Sequence, residues 1–277
     1  MTVLRKRSDT FPYGRWLVCR PQDYDVRYKI NPWMDTSRAP DKALAREQWC
    51  TLHHHLLRLG AWLEYVDHAP GNPDMVFTAN AGLVRGNDVV LSRFRYAERQ
   101  GEEAHFRAWF EVAGYKVHSV SRGSFEGEGD ALFAGSKLFC GWGFRSDIEA
   151  HEEVGRIFNV EKLILAKLQD PRFYHLDTCF CPLTNDVALV YPGAFDPEGL
   201  ENLRSSIELL EVPESEALHF VCNAVVLGRS IVLPAGCPET YRLLEGRGFS
   251  VYPVHLSEFI KAGGAAKCLS LRLEQMI

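Results

Sequence analysis

The stretch Asp74-Met75-Val76-Phe77-Thr78-Ala79-Asn80-Ala81-Gly82-Leu83-Val84 decides the fold, together with the turn at Gly86-Asn87 and the apolar run Val89-Val90-Leu91 that follow it, because the chain repeats it. The same figure returns as Asp130-Ala131-Leu132-Phe133-Ala134, a turn at Gly135-Ser136, and Leu138-Phe139-Cys140. It returns again from Thr178 to Leu183 with a turn at Asn185-Asp186 and Ala188-Leu189-Val190, and from Phe220 to Leu227 with a turn near Gly228 and Ile231-Val232-Leu233. The turns fall roughly 43 to 50 residues apart, a period of propeller blades or stacked supersecondary units. Apolar alternation on either side of a Gly or Asn turn predicts a hairpin in each copy.

Helical periodicity fills the gaps at 104–113, 149–157, 197–209 and 239–246, and an earlier helix is predicted from Asp41 to Gly60. One hairpin and one helix cannot bury an apolar face alone, so the copies are expected to pack around a shared axis. The end segments, an N-terminal strand Arg15-Trp16-Leu17-Val18-Cys19 and a C-terminal strand near 267–273, would supply a fifth copy by pairing. That closure sets the Cys268 segment beside the loop carrying Asn31. The fold class read from this is an α/β five-bladed pseudo-symmetric propeller, with residues 1–277 forming a single catalytic domain.

Composition narrows the function. At 277 residues with 46% hydrophobic and 24% charged residues the chain can bury a sizeable core. A formal net charge of -5 argues against nucleic acid or an anionic membrane as partner, and the Arg5-Lys6-Arg7 triplet reads as a solvated terminus. No run is long and apolar enough to span a bilayer and no secretory signal pattern is present, so the expected location is the cytoplasm. The eight cysteines are irregularly spaced and read as reduced. Cys179-Phe180-Cys181 fails the paired spacing of a zinc site, and His53-His54-His55, on a helix, cannot converge on one metal and reads as partly exposed helix surface.

Polar residues break the strands at equivalent points of the repeats. Asp74 and Asn80 stand in the first; Glu126, Glu128 and Asp130 alternate with glycines in the second; His175 and Asp177 lie two apart in the third, on one face if the backbone is extended. The C-terminal stretch Gly263-Gly264-Ala265-Ala266-Lys267-Cys268-Leu269-Ser270-Leu271 puts a cysteine among small residues just before a short apolar alternation, where a thiolate can reach a ligand. Taken singly, each of these has a bland structural explanation. Their meeting on one axis matches a nucleophile, a base and cation-binding carboxylates.

The segments Ile30-Asn31-Pro32-Trp33-Met34, Pro73 to Leu83, Phe125 to Leu132, Gly143-Phe144-Arg145-Ser146, His175 to Leu183 and Gly263 to Leu271 resemble the guanidino-group-modifying enzymes. These are the five-bladed propellers of the pentein fold, or amidinotransferase superfamily, including arginine deiminases, dimethylarginine dimethylaminohydrolases and amidinotransferases. The nearest resemblance, from about residue 15 to the end, is to the arginine dihydrolase half of the larger cyanobacterial proteins, which turns arginine into ornithine, carbon dioxide and ammonia. It implies Cys268 as nucleophile, His175 as general acid/base and Glu126 as a guanidinium-binding carboxylate, with Asp74 and Asp177 as further carboxylates. It implies Arg99 and Arg145 at the substrate α-carboxylate, Asn31 and Asn80 as matching asparagines, and neither cofactor nor metal.

Asn80 stands where deiminases and dimethylarginine hydrolases usually have Asp. A carboxylate only accepts hydrogen bonds, whereas an amide also donates, which suits the neutral ureido group of citrulline. The expected activity is therefore a two-step arginine dihydrolase. A one-step arginine deiminase or dimethylarginine dimethylaminohydrolase is the alternative within the class, and a non-catalytic arginine-binding propeller the alternative outside it. The expected partner is a small molecule, and homo-oligomerisation stays open.

Overall fold

A computed structural model describes residues 13–273, so the Arg5-Lys6-Arg7 triplet lies outside the described residues. The strands are β1 (Arg15–Cys19), β2 (Trp62–Val66), β3 (Gly82–Arg85), β4 (Asp88–Leu91), β5 (Lys116–Ser119), β6 (Ala131–Ala134), β7 (Lys137–Trp142) and β8 (Lys162–Lys167), followed by β9 (Phe180–Pro182), β10 (Val187–Val190), β11 (Glu208–Glu211), β12 (Val225–Leu227), β13 (Ser230–Pro234), β14 (Ser250–Val254) and β15 (Leu271–Arg272). They form five three-stranded sheets, β15-β1-β2, β3-β4-β5, β6-β7-β8, β9-β10-β11 and β12-β13-β14.

Each sheet has one plan. The first strand runs antiparallel to the middle one, and the third runs parallel to it, as in Leu83↔Val90 and Val89↔Val117. A parallel neighbour needs a crossover, which a helix supplies in every unit. These helices are Lys42–Arg58, Glu102–Val112, Ile148–Ile157, Pro197–Arg204 and Pro238–Gly246. Glycines in the left-handed region turn three of the hairpins, Gly86, Gly135 and Gly228 at φ +63°, +61° and +61°. In the fifth unit the chain ends close the ring: β15 takes the first-strand place against β1, with Leu17↔Leu271 in register. The predicted fifth copy is present. Apolar packing between neighbouring blades is continuous, with Leu17, Val84, Val89, Phe106, Phe110 and Leu271 all wholly buried in one cluster.

Several local expectations are corrected. Residues 74–81 are not strand: Pro73–Val76 and Thr78–Ala81 are 3-10 turns, and extended backbone begins only at Gly82. Pro73 removes a strand donor, and the Thr78 hydroxyl donates to the Leu17 carbonyl in the next blade, drawing the chain inward. His175 and Asp177 flank Leu176 in a 3-10 turn, Leu176–Thr178, rather than sharing a face of extended chain. The glycines between Glu126 and Asp130 likewise allow a turn, Gly127–Gly129, so the three acids diverge. Cys268 also lies on a turn, with the Ser270 N–H closing on Lys267 O at 3.0 Å, and the strand after it is only two residues long. Of the three adjacent histidines, His53 is buried with Nδ1 2.6 Å from Trp49 O, while His54 and His55 remain on the helix surface.

Candidate active site

The corrected turns share one position. Each precedes the first strand of its blade, and in each a backbone N–H closes on the carbonyl three residues back: Asn80 on Phe77, Gly129 on Glu126, Thr178 on His175, Asn223 on Phe220 and Ser270 on Lys267. Such turns aim side chains at the axis instead of alternating them across a sheet. Hydrogen bonds then link every turn to the next. Ala79 N–H donates to Cys268 O (3.1 Å), Asn80 Nδ2 to Glu126 O (3.1 Å) and Leu176 N–H to Asp130 Oδ1 (3.1 Å). Asn223 Nδ2 donates to Asp177 O (3.0 Å), and Lys267 N–H to Asn223 O (3.2 Å) completes the circle.

Inside this ring lies a cleft with an empty volume of about 250 Å³, and Asn31, Asp74, Asn80, Arg99, Arg145 and Cys268 all line it. Asn31 is tied to the loop leading to Cys268 by Nδ2 donating to Ala262 O at 3.0 Å. His175, Glu126 and Asp177 join from behind. His175 Nε2 is 2.8 Å from Glu126 Oε2, which also accepts from Arg145 at 2.9 Å. The Cys268 thiol donates to Asp177 Oδ2 at 3.1 Å. All nine predicted site residues are therefore brought to one place. Glu128 and Asp130 are not part of the cleft wall: Glu128 turns away to pair with Lys267, and Asp130 accepts from Ser146 and Leu176.

Electrostatics separates the acids. Burial works against the Glu126 charge, but the Arg145 guanidinium and the His175 hydrogen bond hold the carboxyl down at about 2. Burial pushes Asp177 up to about 7, against the Lys267 cation and the hydrogen bonds from Cys268 and Asn223. Burial, and then the Asp177 charge, keep the Cys268 thiol well above its ordinary range. The S–H···O bond favours the Asp177 charge while that charge opposes ionisation of the thiol, so the two titrate as a coupled pair. Asp74 Oδ1 and Asp177 Oδ1 are buried and meet no hydrogen-bond partner among the described residues. An unmet buried acceptor costs about 1–3 kcal/mol, so these oxygens suit a ligand rich in N–H donors.

Arg99 is more committed than expected. Its Nε and Nη2 clamp Glu102 at 2.9 and 2.8 Å, Nη1 donates to Asn80 Oδ1 at 2.9 Å, and Nη2 also reaches Asp74 O at 3.2 Å. Among the described residues Arg145 donates to Glu126 Oε2 and Ile30 O and stacks between the Tyr96 and Tyr174 rings, leaving more of its fork for a carboxylate. Glu102, Tyr28 (whose hydroxyl donates to Asp74 at 2.9 Å) and Asn223 were missed by the sequence reading. For Asn223 a signal exists: it is an amide inside the apolar run 220–227, at the fourth blade's equivalent of the positions that carry the other site residues. Among the described residues no cluster of three His, Cys, Asp or Glu side chains is arranged to hold a metal ion.

Residues 27–274 match the family of the N,N dimethylarginine dimethylhydrolases, eukaryotic. The chain belongs to this family. Among relatives of this dimethylarginine dimethylhydrolase family member, it is 45% identical to the bifunctional arginine dihydrolase/ornithine cyclodeaminase AgrE of Nostoc sp., over 95% of this chain and 38% of the relative. The chain thus spans about two fifths of that protein's length. It is 37% identical to the N(G),N(G)-dimethylarginine dimethylaminohydrolase of Mycobacterium tuberculosis, over 94% of this chain and 85% of the relative. In structure it is similar to the substrate-bound N-terminal domain of ArgZ, a cyanobacterial arginine dihydrolase, with a TM-score of 0.91 and 43% identity over 94% of this chain and 98% of that one. The fold of this family member is the five-bladed pentein propeller, as expected from the repeats. No helix among the described residues is long and apolar enough to cross a membrane.

Proposed function

We propose that this chain is a hydrolase of the arginine guanidino group working through a covalent Cys268 intermediate, and that it carries both hydrolyses: arginine plus two waters gives ornithine, carbon dioxide and two ammonia. The observation that carries the reading is the cleft itself, where a buried thiol paired with Asp177 at 3.1 Å faces the unmet carboxylate oxygen of Asp74. Likeness to arginine dihydrolases over nearly the whole chain supports it.

Asp74, Asp177 and Glu126 attract the planar guanidinium, and Arg145, with Arg99, faces the α-carboxylate. The bound cation favours the thiolate, so the thiol proton passes from Sγ to Asp177 Oδ2, from which it returns when the thiol is restored. Sγ then adds to the guanidino carbon, whose delocalisation makes it a poor electrophile that only a strong, positioned nucleophile attacks. His175, held by Glu126, protonates the departing nitrogen, which leaves as ammonia, and then takes a proton from the water that attacks the S-linked carbon. Breaking the C–S bond releases citrulline and restores the thiol.

For the second step Asn80 is decisive. Its Oδ1 accepts a hydrogen bond from Arg99 and its Nδ2 donates to Glu126 O, so the amide is fixed with a second N–H to offer. An Asp at this position would lose that donor and repel a ureido oxygen. Mass-spectrometric product analysis with arginine, citrulline and dimethylarginine tests the proposal. Arginine and citrulline should both yield ornithine, and Asn80→Asp should accumulate citrulline from arginine. Turnover of dimethylarginine alone would move the reading to the one-step alternative, which the Mycobacterium tuberculosis relative favours. Failure to trap any covalent Cys268 adduct would leave only an arginine-binding propeller. In this reading residues 1–277 act as one catalytic domain on a small molecule in the cytoplasm, without nucleic acid, membrane or cofactor, and the chain is free to self-associate.

A further inference from the structure

Asn223 is wholly buried, and every hydrogen-bonding position of its amide is used. Oδ1 accepts from the backbone N–H groups of Ala265 and Cys268, both at 3.1 Å. Nδ2 donates to Asp177 O and to Cys268 Sγ, both at 3.0 Å. The turn presenting it is strained: Phe220, a non-glycine residue, sits at φ +58°, with the Asn223 N–H closing on its carbonyl at 2.8 Å. A left-handed non-glycine residue is strained, and such strain gathers where a side chain must be aimed.

Anchoring the loop explains three of the four side-chain bonds. It does not explain the fourth, which ends on sulfur. We propose that Asn223 is a catalytic hydrogen-bond donor whose Nδ2–H stabilises the Cys268 thiolate, while its Oδ1 fixes the 265–268 turn so that sulfur stays beside Asp177. This rests on Cys268 being the nucleophile. The proton of the pair is held either as S–H···O⁻ or as S⁻···H–O, passing between Sγ and Asp177 Oδ2 with the N–H···S bond kept throughout. A hydrogen bond to an ion is roughly twice as strong as one to a neutral acceptor, so the same amide favours the second form. The charged and titratable groups near the sulfur are Asp177 on its hydrogen bond, Tyr174, the adjacent Lys267 (paired with Glu128), and Asp74, Arg99 and Arg145 lining the same cleft. Asn223 acts among them without titrating itself.

The test follows alkylation of Cys268 by iodoacetamide in the full chain, by mass spectrometry, over about pH 6 to 11. Asn223→Ala removes the donor together with the acceptor, and Asn223→Asp keeps an acceptor for the Ala265 and Cys268 N–H groups while replacing the donor by a repelling oxygen. Both should raise the pH midpoint of alkylation by about one unit or more, slowing it about tenfold at lower pH, with Asp the larger effect. A folded variant with an unmoved midpoint, however far its turnover falls, would reduce Asn223 to a loop anchor and overturn the proposal. If neither variant folds, the unsubstituted protein labelled with ¹⁵N-asparagine decides. The Asn223 side-chain amide signal should shift at the pH midpoint of Cys268 alkylation, and a signal that stays put overturns the proposal. Arginine turnover by Cys268→Ser would instead refute the nucleophile assignment, leaving the alkylation titration to judge the Asn223–sulfur contact separately.

Discussion

Glu126 and Asp177, two buried carboxyls serving one cleft, respond to acid in opposite ways. Glu126 sits at about 2 in the folded chain, below its ordinary 4.5, so its ionised form stabilises the fold above that value and the contribution fades as pH falls toward 2. The shift corresponds to about 3 kcal/mol. Glu126→Gln should therefore be less stable than the parent by about that amount at pH 7, with the gap closing by about pH 2 to 3, read by urea unfolding at a series of pH values. Asp177 is raised from 3.8 to about 7, so its contribution is complete below 3.8 and is lost as pH rises through 7. Asp177→Asn should remove that alkaline decline in stability while abolishing turnover. Asp74, Asn80, Glu126, His175, Asp177 and Cys268 were legible together, because polar residues break the apolar runs at equivalent points of the repeats, and Asn31, Arg99 and Arg145 only through the resemblance. Their partners were not. That Cys268 is held by Asn223 depends on a contact across 45 positions that no local spacing encodes, whereas the Arg99–Glu102 pair, three positions apart, was open to an i,i+3 reading.

At the scale of the element, the hairpins and crossover helices were readable because their periods are local, and the turns before them were not. The segments 74–81, 126–130 and 175–178 look like strand starts by composition, yet each curls because its polar groups find partners in the neighbouring blade. Two glycines separate local from tertiary constraint. Gly86 has φ +63° with open space around its Cα, whereas at Gly127, φ +60°, an added Cβ would lie 2.7 Å from Gly82 O and 2.8 Å from Ala79 O. Gly86→Ala should lose only the left-handed penalty, about 1 to 2 kcal/mol. Gly127→Ala should lose much more and disrupt the Asn80 contact to Glu126 O, so the comparison of unfolding midpoints and residual turnover checks whether the site turns are set by neighbours.

The whole molecule is held by circular order. Leu271, wholly buried, joins the last strand to β1, so Leu271→Ala should cost about 2–5 kcal/mol although it lies at the chain's edge in sequence. Unfolding followed by tryptophan fluorescence and by far-UV circular dichroism should coincide, since no blade buries its face alone; separate transitions would contradict the closed ring. The Leu273 N–H donates to Arg15 O at 2.8 Å, so the first and last strands already meet as neighbours. Joining that seam with a short flexible linker and opening new termini at the exposed Asn185-Asp186 turn should give a permuted protein whose Cys268 now sits mid-sequence yet in an unaltered cavity, because a wheel does not record where its rim was first cut.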